Sequence, residues 1–93
     1  MAIADNALPK RYTSASLIAR GGMGEVYRAV DSVLERKVAV KLLSERYSRQ
    51  EEVRARFRRE ALAAARLSGT PHVITVFDVG EHREQPYIVM EYL

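Results

Sequence analysis

The sequence predicts an α+β domain, a five-stranded antiparallel sheet carrying one long helix. Short runs of β-branched and aromatic residues, separated by glycine-rich or charged turns, occupy both ends of the chain. Between them one stretch, Gln50 to Leu67, repeats its apolar residues at helical spacing. The connections are short, which favours antiparallel pairing.

Tyr12 to Ala19 reads as the first strand, and Gly24 to Asp31 as its returning partner, with Gly21–Gly22–Met23 at the hairpin tip. Asp31 to Glu35 connects to a third strand, Arg36 to Leu43. On that strand, alternation puts Ala39, Lys41 and Leu43 on one face and Val38, Val40 and Leu42 on the other. In the helix, Phe57, Ala61, Ala64 and Leu67 fall within about 80° of Val53 and make an apolar stripe. Gly69 stops the helix and Pro71 prevents its resumption. Val73 to Val79 and Tyr87 to Tyr92 are the last two strands, with Gly80 to Pro86 as their turn.

With 93 residues the chain holds one small domain. Residues 1–11, polar and broken by Pro9, read as a flexible leader; residues 12–93 read as the folded unit. The chain stops at Glu91–Tyr92–Leu93 without a capping segment and reads as cut.

No cysteine is present, which excludes disulfides and thiolate metal sites. His72 and His82 lack ligand spacing and read as turn or surface residues, so no metal site is expected here. No apolar run reaches the roughly 18–20 residues of a membrane span. The N-terminus lacks a signal-peptide pattern, and a cytoplasmic location is expected. Seven arginines lie between Arg46 and Arg66. They read as a solvated helix face partly balanced by Glu45, Glu51 and Glu52. The rival is a nucleic-acid surface, which leaves the glycine loop and Lys41 unexplained.

Glycines let backbone amides approach a ligand closely. A strand lysine shortly after them can bring positive charge to the same ligand, and together they suggest a polyphosphate site. Glu60 lies on the apolar stripe, where an unpaired carboxylate is costly. Lys41 is one candidate partner. Arg56, one helical turn back, is the other, with Glu60 then at a wet helix edge. Periodicity leaves both open.

Four motifs in order at fitting spacing resemble the N-terminal lobe of a protein kinase, specifically the eukaryotic-like serine/threonine kinases of bacteria. Gly21 to Ala29 is similar to their phosphate-covering loop. Val38–Ala39–Val40–Lys41 is similar to the strand with the ATP-anchoring lysine. Phe57 to Ala61 is similar to the regulatory helix with its paired glutamate, and Pro86 to Leu93 to the strand entering the hinge between lobes. The resemblance covers residues 12–93. It implies a kinase N-lobe truncated at the hinge, from a parent that transfers the γ-phosphoryl group of ATP to serine or threonine hydroxyls of protein substrates.

The resemblance also implies roles. Lys41 would hold the α- and β-phosphates, oriented by Glu60. The segment Ile18, Ala19, Arg20, Gly21, Gly22, Met23 and Gly24 would cover the phosphates, with Ile18 also the upper wall of the adenine site. Val26 and Ala39 would pack on the ring. Met90 would be the gatekeeper, and the Glu91 carbonyl and Leu93 amide the hinge groups. Ala19 stands where the family pattern has its first glycine, and its methyl group fits if the backbone there is extended. The catalytic segment and the Mg²⁺ ligands would lie in a C-terminal lobe outside these residues, so this piece alone is expected to be inactive. Bacterial relatives often pair through their N-lobes, so a homodimer is a candidate partner state. A pseudokinase or N-lobe regulatory module without catalysis is the alternative function.

Overall fold

The third strand sets the architecture because its two faces do different work. Val38, Val40 and Leu42 join a buried cluster with Leu8, Tyr12, Tyr27, Ala29, Tyr87 and Val89. Ala39, Lys41 and Leu43 face the other way, as alternation requires. The computed structural model describes residues 8–71 and 74–92; His72, Val73, Leu93 and the first seven residues lie outside the described set.

The elements are β1 (Tyr12–Arg20), β2 (Gly24–Asp31), β3 (Arg36–Leu43), α1 (Glu45–Ser48), α2 (Glu51–Arg66), β4 (Val76–His82) and β5 (Gln85–Glu91). They form the expected five-stranded sheet, ordered β1-β2-β3-β5-β4 and antiparallel throughout. Both ends of the expected β2 and β3 agree with the structure. α1, a single short turn, was not foreseen. It is held by Ser48, whose buried hydroxyl donates to the Ser44 and Leu43 carbonyls at 2.8 and 3.2 Å.

The last hairpin corrects the expected boundaries. Instead of a seven-residue turn from Gly80 to Pro86, the reversal occupies Arg83 and Glu84, both with positive φ. The strands therefore run on to His82 and begin again at Gln85. Pro86 is tolerated because β3 pairs with β5 only from Tyr87 onward, so its missing N–H costs no bond to β3. At the front of β4, Ile74 and Thr75 are not part of the strand.

The sheet curls enough for a side chain of one edge strand to reach the other. The Tyr12 hydroxyl on β1 donates to Asp78 on β4 at 3.2 Å. The rings of Tyr12 and Tyr87 pack edge to face, 6.3 Å between centroids. Burial, reinforced by the negative charge of Asp78, pushes the Tyr12 hydroxyl well above its usual pKa. Leu8 is also buried in this cluster, so the described end of the expected leader is part of the fold rather than loose.

The connection from β2 to β3 is organised by a buried carboxylate. Asp31 accepts two hydrogen bonds from Arg11 at 2.8 Å each. It also accepts from the amides of Val33 and Leu34 at 3.0 and 3.2 Å. The Arg11 guanidinium, helped by those amides, pulls the carboxyl down to a pKa of about 2.

Candidate functional site

Cross-strand register gathers four of the expected site residues, Val26, Ala39, Lys41 and Met90, on one face of the sheet. Val26 and Ile88 flank Lys41, and Arg28 and Met90 flank Ala39. Directly paired residues share a face, so Val26, Ala39, Lys41, Ile88 and Met90 form one surface. Ala19 lies beside Val26 at the end of β1. It sits in the strand without positive φ, so its methyl group meets the stated condition.

Helix α2 packs against β4 and β5, beside this surface. Phe57 and Ala61 are its buried residues, as the apolar stripe requires, whereas Leu67 is 56% exposed just beyond the helix end. Between helix and sheet is a cleft of about 370 Å³, lined among others by Met23, Lys41, Leu43, Phe57, Glu60 and Ile88. Lys41 and Glu60 therefore face one cavity from β3 and α2.

They are not ion-paired. Glu60 accepts from Arg56 Nε at 3.3 Å, four residues back on its own helix, and its side chain is 60% exposed. Of the two partners that periodicity left open, Glu60 takes Arg56 in this conformation, at a wet helix edge. The physical reason is solvation: a carboxylate that reaches water needs no buried cation. Among the described residues, Lys41 is in no ion pair. The result is an exposed ammonium group at a cleft with an acidic side chain on the opposite wall.

The glycine hairpin closes one end of the cleft. The Gly21 amide donates to the Gly24 carbonyl, and the Ser44 amide donates to the Met23 carbonyl, both at 2.9 Å. The tip is thereby tied to the start of α1. Its glycines differ in kind. A side chain on Gly22 would meet nothing, and one on Gly21 only ordinary contact. A side chain on Gly24 would overlap the Leu42 carbonyl. Gly24 is thus required by the β2–β3 pairing, while Gly21 and Gly22 leave open space at the hairpin tip. Arg20 pairs with Glu25 at 3.5 Å across the hairpin, and Ile18 is exposed.

At the far end of the site, Glu91 fixes the exit of β5. Its carboxylate accepts from the Thr75 amide at 2.8 Å, and its own amide donates to the Thr75 carbonyl at 2.9 Å. Leu93, the other expected hinge group, lies outside the described residues. Sequence reasoning missed Phe57 and Ile88 as cleft walls. The β3–β5 register, which places Ile88 opposite Lys41, is the signal that reveals the latter. Among the described residues, no three acidic, histidine or cysteine side chains cluster to hold a metal.

The protein kinase domain family model matches residues 12–93. Serine/threonine-protein kinase PksC of Streptomyces coelicolor is 47% identical over 87 residues, covering 89% of this chain and 16% of that protein. Serine/threonine-protein kinase PrkC of Bacillus subtilis is 43% identical over 83 residues, covering 89% of this chain and 13% of its relative. The crystal structure of the Mycobacterium tuberculosis PknI kinase domain superposes with a TM-score of 0.77 at 36% identity. It covers all of this chain, and this chain covers 38% of it. The chain thus spans about a sixth or less of these two relatives and under half of that kinase domain.

Proposed function

The chain belongs to the protein kinase domain family, and on that premise we propose that residues 12–93 are the ATP-binding lobe of a protein serine/threonine kinase, ending at the hinge. The observation that carries the proposal is the exposed Lys41, facing Glu60 across a cleft that Met23 and Gly24 of the glycine hairpin close at one end. ATP supplies the phosphoryl group. The donor set suits it, because a cation in no ion pair matches the charge of a triphosphate.

In this reading Lys41 binds the α- and β-phosphates and Glu60 orients it. The loop from Ile18 to Gly24 covers the phosphates, and its backbone comes close at Gly21 and Gly22 because no side chain stands in the way. Val26 and Ala39 contact the adenine ring, Met90 sets the depth of its pocket, and the backbone at Glu91 and Leu93 reads its edge. The Mg²⁺ ligands and the base for the acceptor hydroxyl belong to residues beyond these. The names of the relatives support serine or threonine as acceptor. No helix among the described residues is long and apolar enough to cross a membrane; the proposed location is the cytoplasm, where ATP is available. Val33 and Leu34, exposed on the β2–β3 turn, offer apolar surface for pairing with a second copy.

The test is Lys41→Met in the full-length protein. Phosphoryl transfer should fall by about 100-fold or more, with the melting temperature unchanged. Near-normal turnover overturns the role of Lys41. A wild-type protein that binds an ATP analogue yet transfers no phosphoryl group favours the pseudokinase alternative.

A further inference from the structure

The tip of the glycine hairpin carries a methionine whose surroundings set it apart from the other sulfurs of the chain. These 93 residues contain three methionines and no cysteine, so oxidation of sulfur here means oxidation of methionine. Met90 is half-buried inside β5, with a paired strand on either side, and Met1 lies outside the described residues. Met23 is 45% exposed. Its neighbours Gly22 and Gly24 carry no side chain to shield it. Thioethers differ little in intrinsic reactivity, so access decides which one an oxidant reaches first.

The same side chain lines the cleft, together with Lys41, Phe57 and Ile88. Its backbone is tied in place, because the Ser44 amide donates to the Met23 carbonyl at 2.9 Å. As a thioether, Met23 is a flexible apolar group suited to Phe57 and Ile88, and only a weak acceptor. As a sulfoxide it is polar and carries an oxygen that accepts hydrogen bonds well. The donor available to that oxygen in the cleft is Lys41, which is in no ion pair among the described residues. A hydrogen bond from a charged donor is roughly twice as strong as one between neutral groups.

We propose that Met23 is an oxidation site whose sulfoxide accepts from Lys41 and so withholds the lysine from phosphate. In the step, the sulfur lone pair takes one oxygen atom from hydrogen peroxide. An S–O bond forms, the O–O bond breaks and water leaves; sulfur is oxidised and the peroxide reduced. Methionine sulfoxide reductases reverse the change, one for each configuration at sulfur. The consequence for nucleotide rests on the ATP-binding reading above; the identity of the reactive sulfur does not.

The experiment treats the full-length protein with stepwise hydrogen peroxide, maps oxidised peptides by mass spectrometry, and measures binding of a non-hydrolysable ATP analogue and of adenosine. Met23 should gain oxygen before Met90. The ATP analogue should then bind about tenfold more weakly, in line with one hydrogen bond to a charged group. Adenosine has no phosphate for Lys41 and should bind as before. The two sulfoxide reductases together should restore binding, whereas a thiol reductant alone should not, which separates the effect from cysteine oxidation elsewhere in the protein. Met23→Leu keeps an apolar chain without sulfur and should hold its own starting affinity through the same treatment. Oxidation of Met90 ahead of Met23 overturns the proposal. So does undiminished binding of the ATP analogue once Met23 is fully oxidised, or a loss in Met23→Leu as large as in wild type. An equal loss of adenosine binding overturns the Lys41 contact. If the untreated protein binds no ATP analogue, the ATP-binding reading fails, and the order of oxidation still decides whether Met23 is the reactive sulfur.

Discussion

Glu60 faces the same cleft as Lys41 but is hydrogen-bonded to Arg56, 3.3 Å away on its own helix. The two cations therefore stand as rivals for one carboxylate. An exposed pair four residues apart on a helix is worth only about 0.3–0.5 kcal/mol. A bound polyphosphate that draws Lys41 inward can outweigh it. In the nucleotide-bound full-length protein, Lys41 and Glu60 should close to ion-pair distance and Arg56 should let go. A nucleotide-bound crystal structure checks this; Glu60 still on Arg56 would refute it. Because the Arg56 bond is weak, Arg56→Gln should change activity by only about twofold.

The glycines of the hairpin should separate into two classes. A methyl group at Gly24 would overlap the Leu42 carbonyl, which is backbone and cannot swing aside. Gly24→Ala should therefore cost about 1–3 kcal/mol in denaturant unfolding. Gly22→Ala has open space and should leave stability within about 0.5 kcal/mol while weakening nucleotide binding. Equal losses of stability in both variants would contradict the distinction.

These contrasts show where local pattern was enough. β2 and β3 were legible because runs of β-branched, aromatic and other apolar residues are bounded by turn-prone residues such as Gly24, Asp31 and Ser44. The final hairpin was not, because Glu81, His82 and Gln85 are polar residues in strands, and polarity alone reads as loop. Its tight turn uses Arg83 and Glu84 at positive φ, residues without a turn signature. The site was legible as a set of residues, since register and alternation bring Val26, Ala39 and Lys41 together. Which cation holds Glu60 was not, because that depends on where α2 sits above the sheet, a tertiary fact.

Acid should weaken the fold through Asp31. Its folded pKa, pulled to about 2 by Arg11, lies below the ordinary carboxylate value. The stabilisation is therefore complete above about pH 4 and is lost as pH falls toward 2. Thermal melts of wild type and Asp31→Asn should differ most at neutral pH, with the gap narrowing across that window. A gap that stays constant down to pH of about 2 would show that the ion pair contributes nothing.

The curl of the sheet should depend on Tyr12. Its hydroxyl supplies a hydrogen bond between the two edge strands, and its ring supplies the edge contact with Tyr87. Tyr12→Phe keeps the ring and removes the bond, so it should cost about 1 kcal/mol. Tyr12→Ala removes both and opens a cavity among Leu8, Tyr27 and Val89, so about 3–5 kcal/mol is expected, as for other large aromatic truncations. The difference between the variants isolates the aromatic packing from the polar bridge. Asp78→Asn can still accept from Tyr12 and should resemble wild type, while Asp78→Ala should resemble Tyr12→Phe. Denaturant unfolding of the four variants checks the set. Full stability in Tyr12→Phe and Asp78→Ala would place all of the closure in the rings.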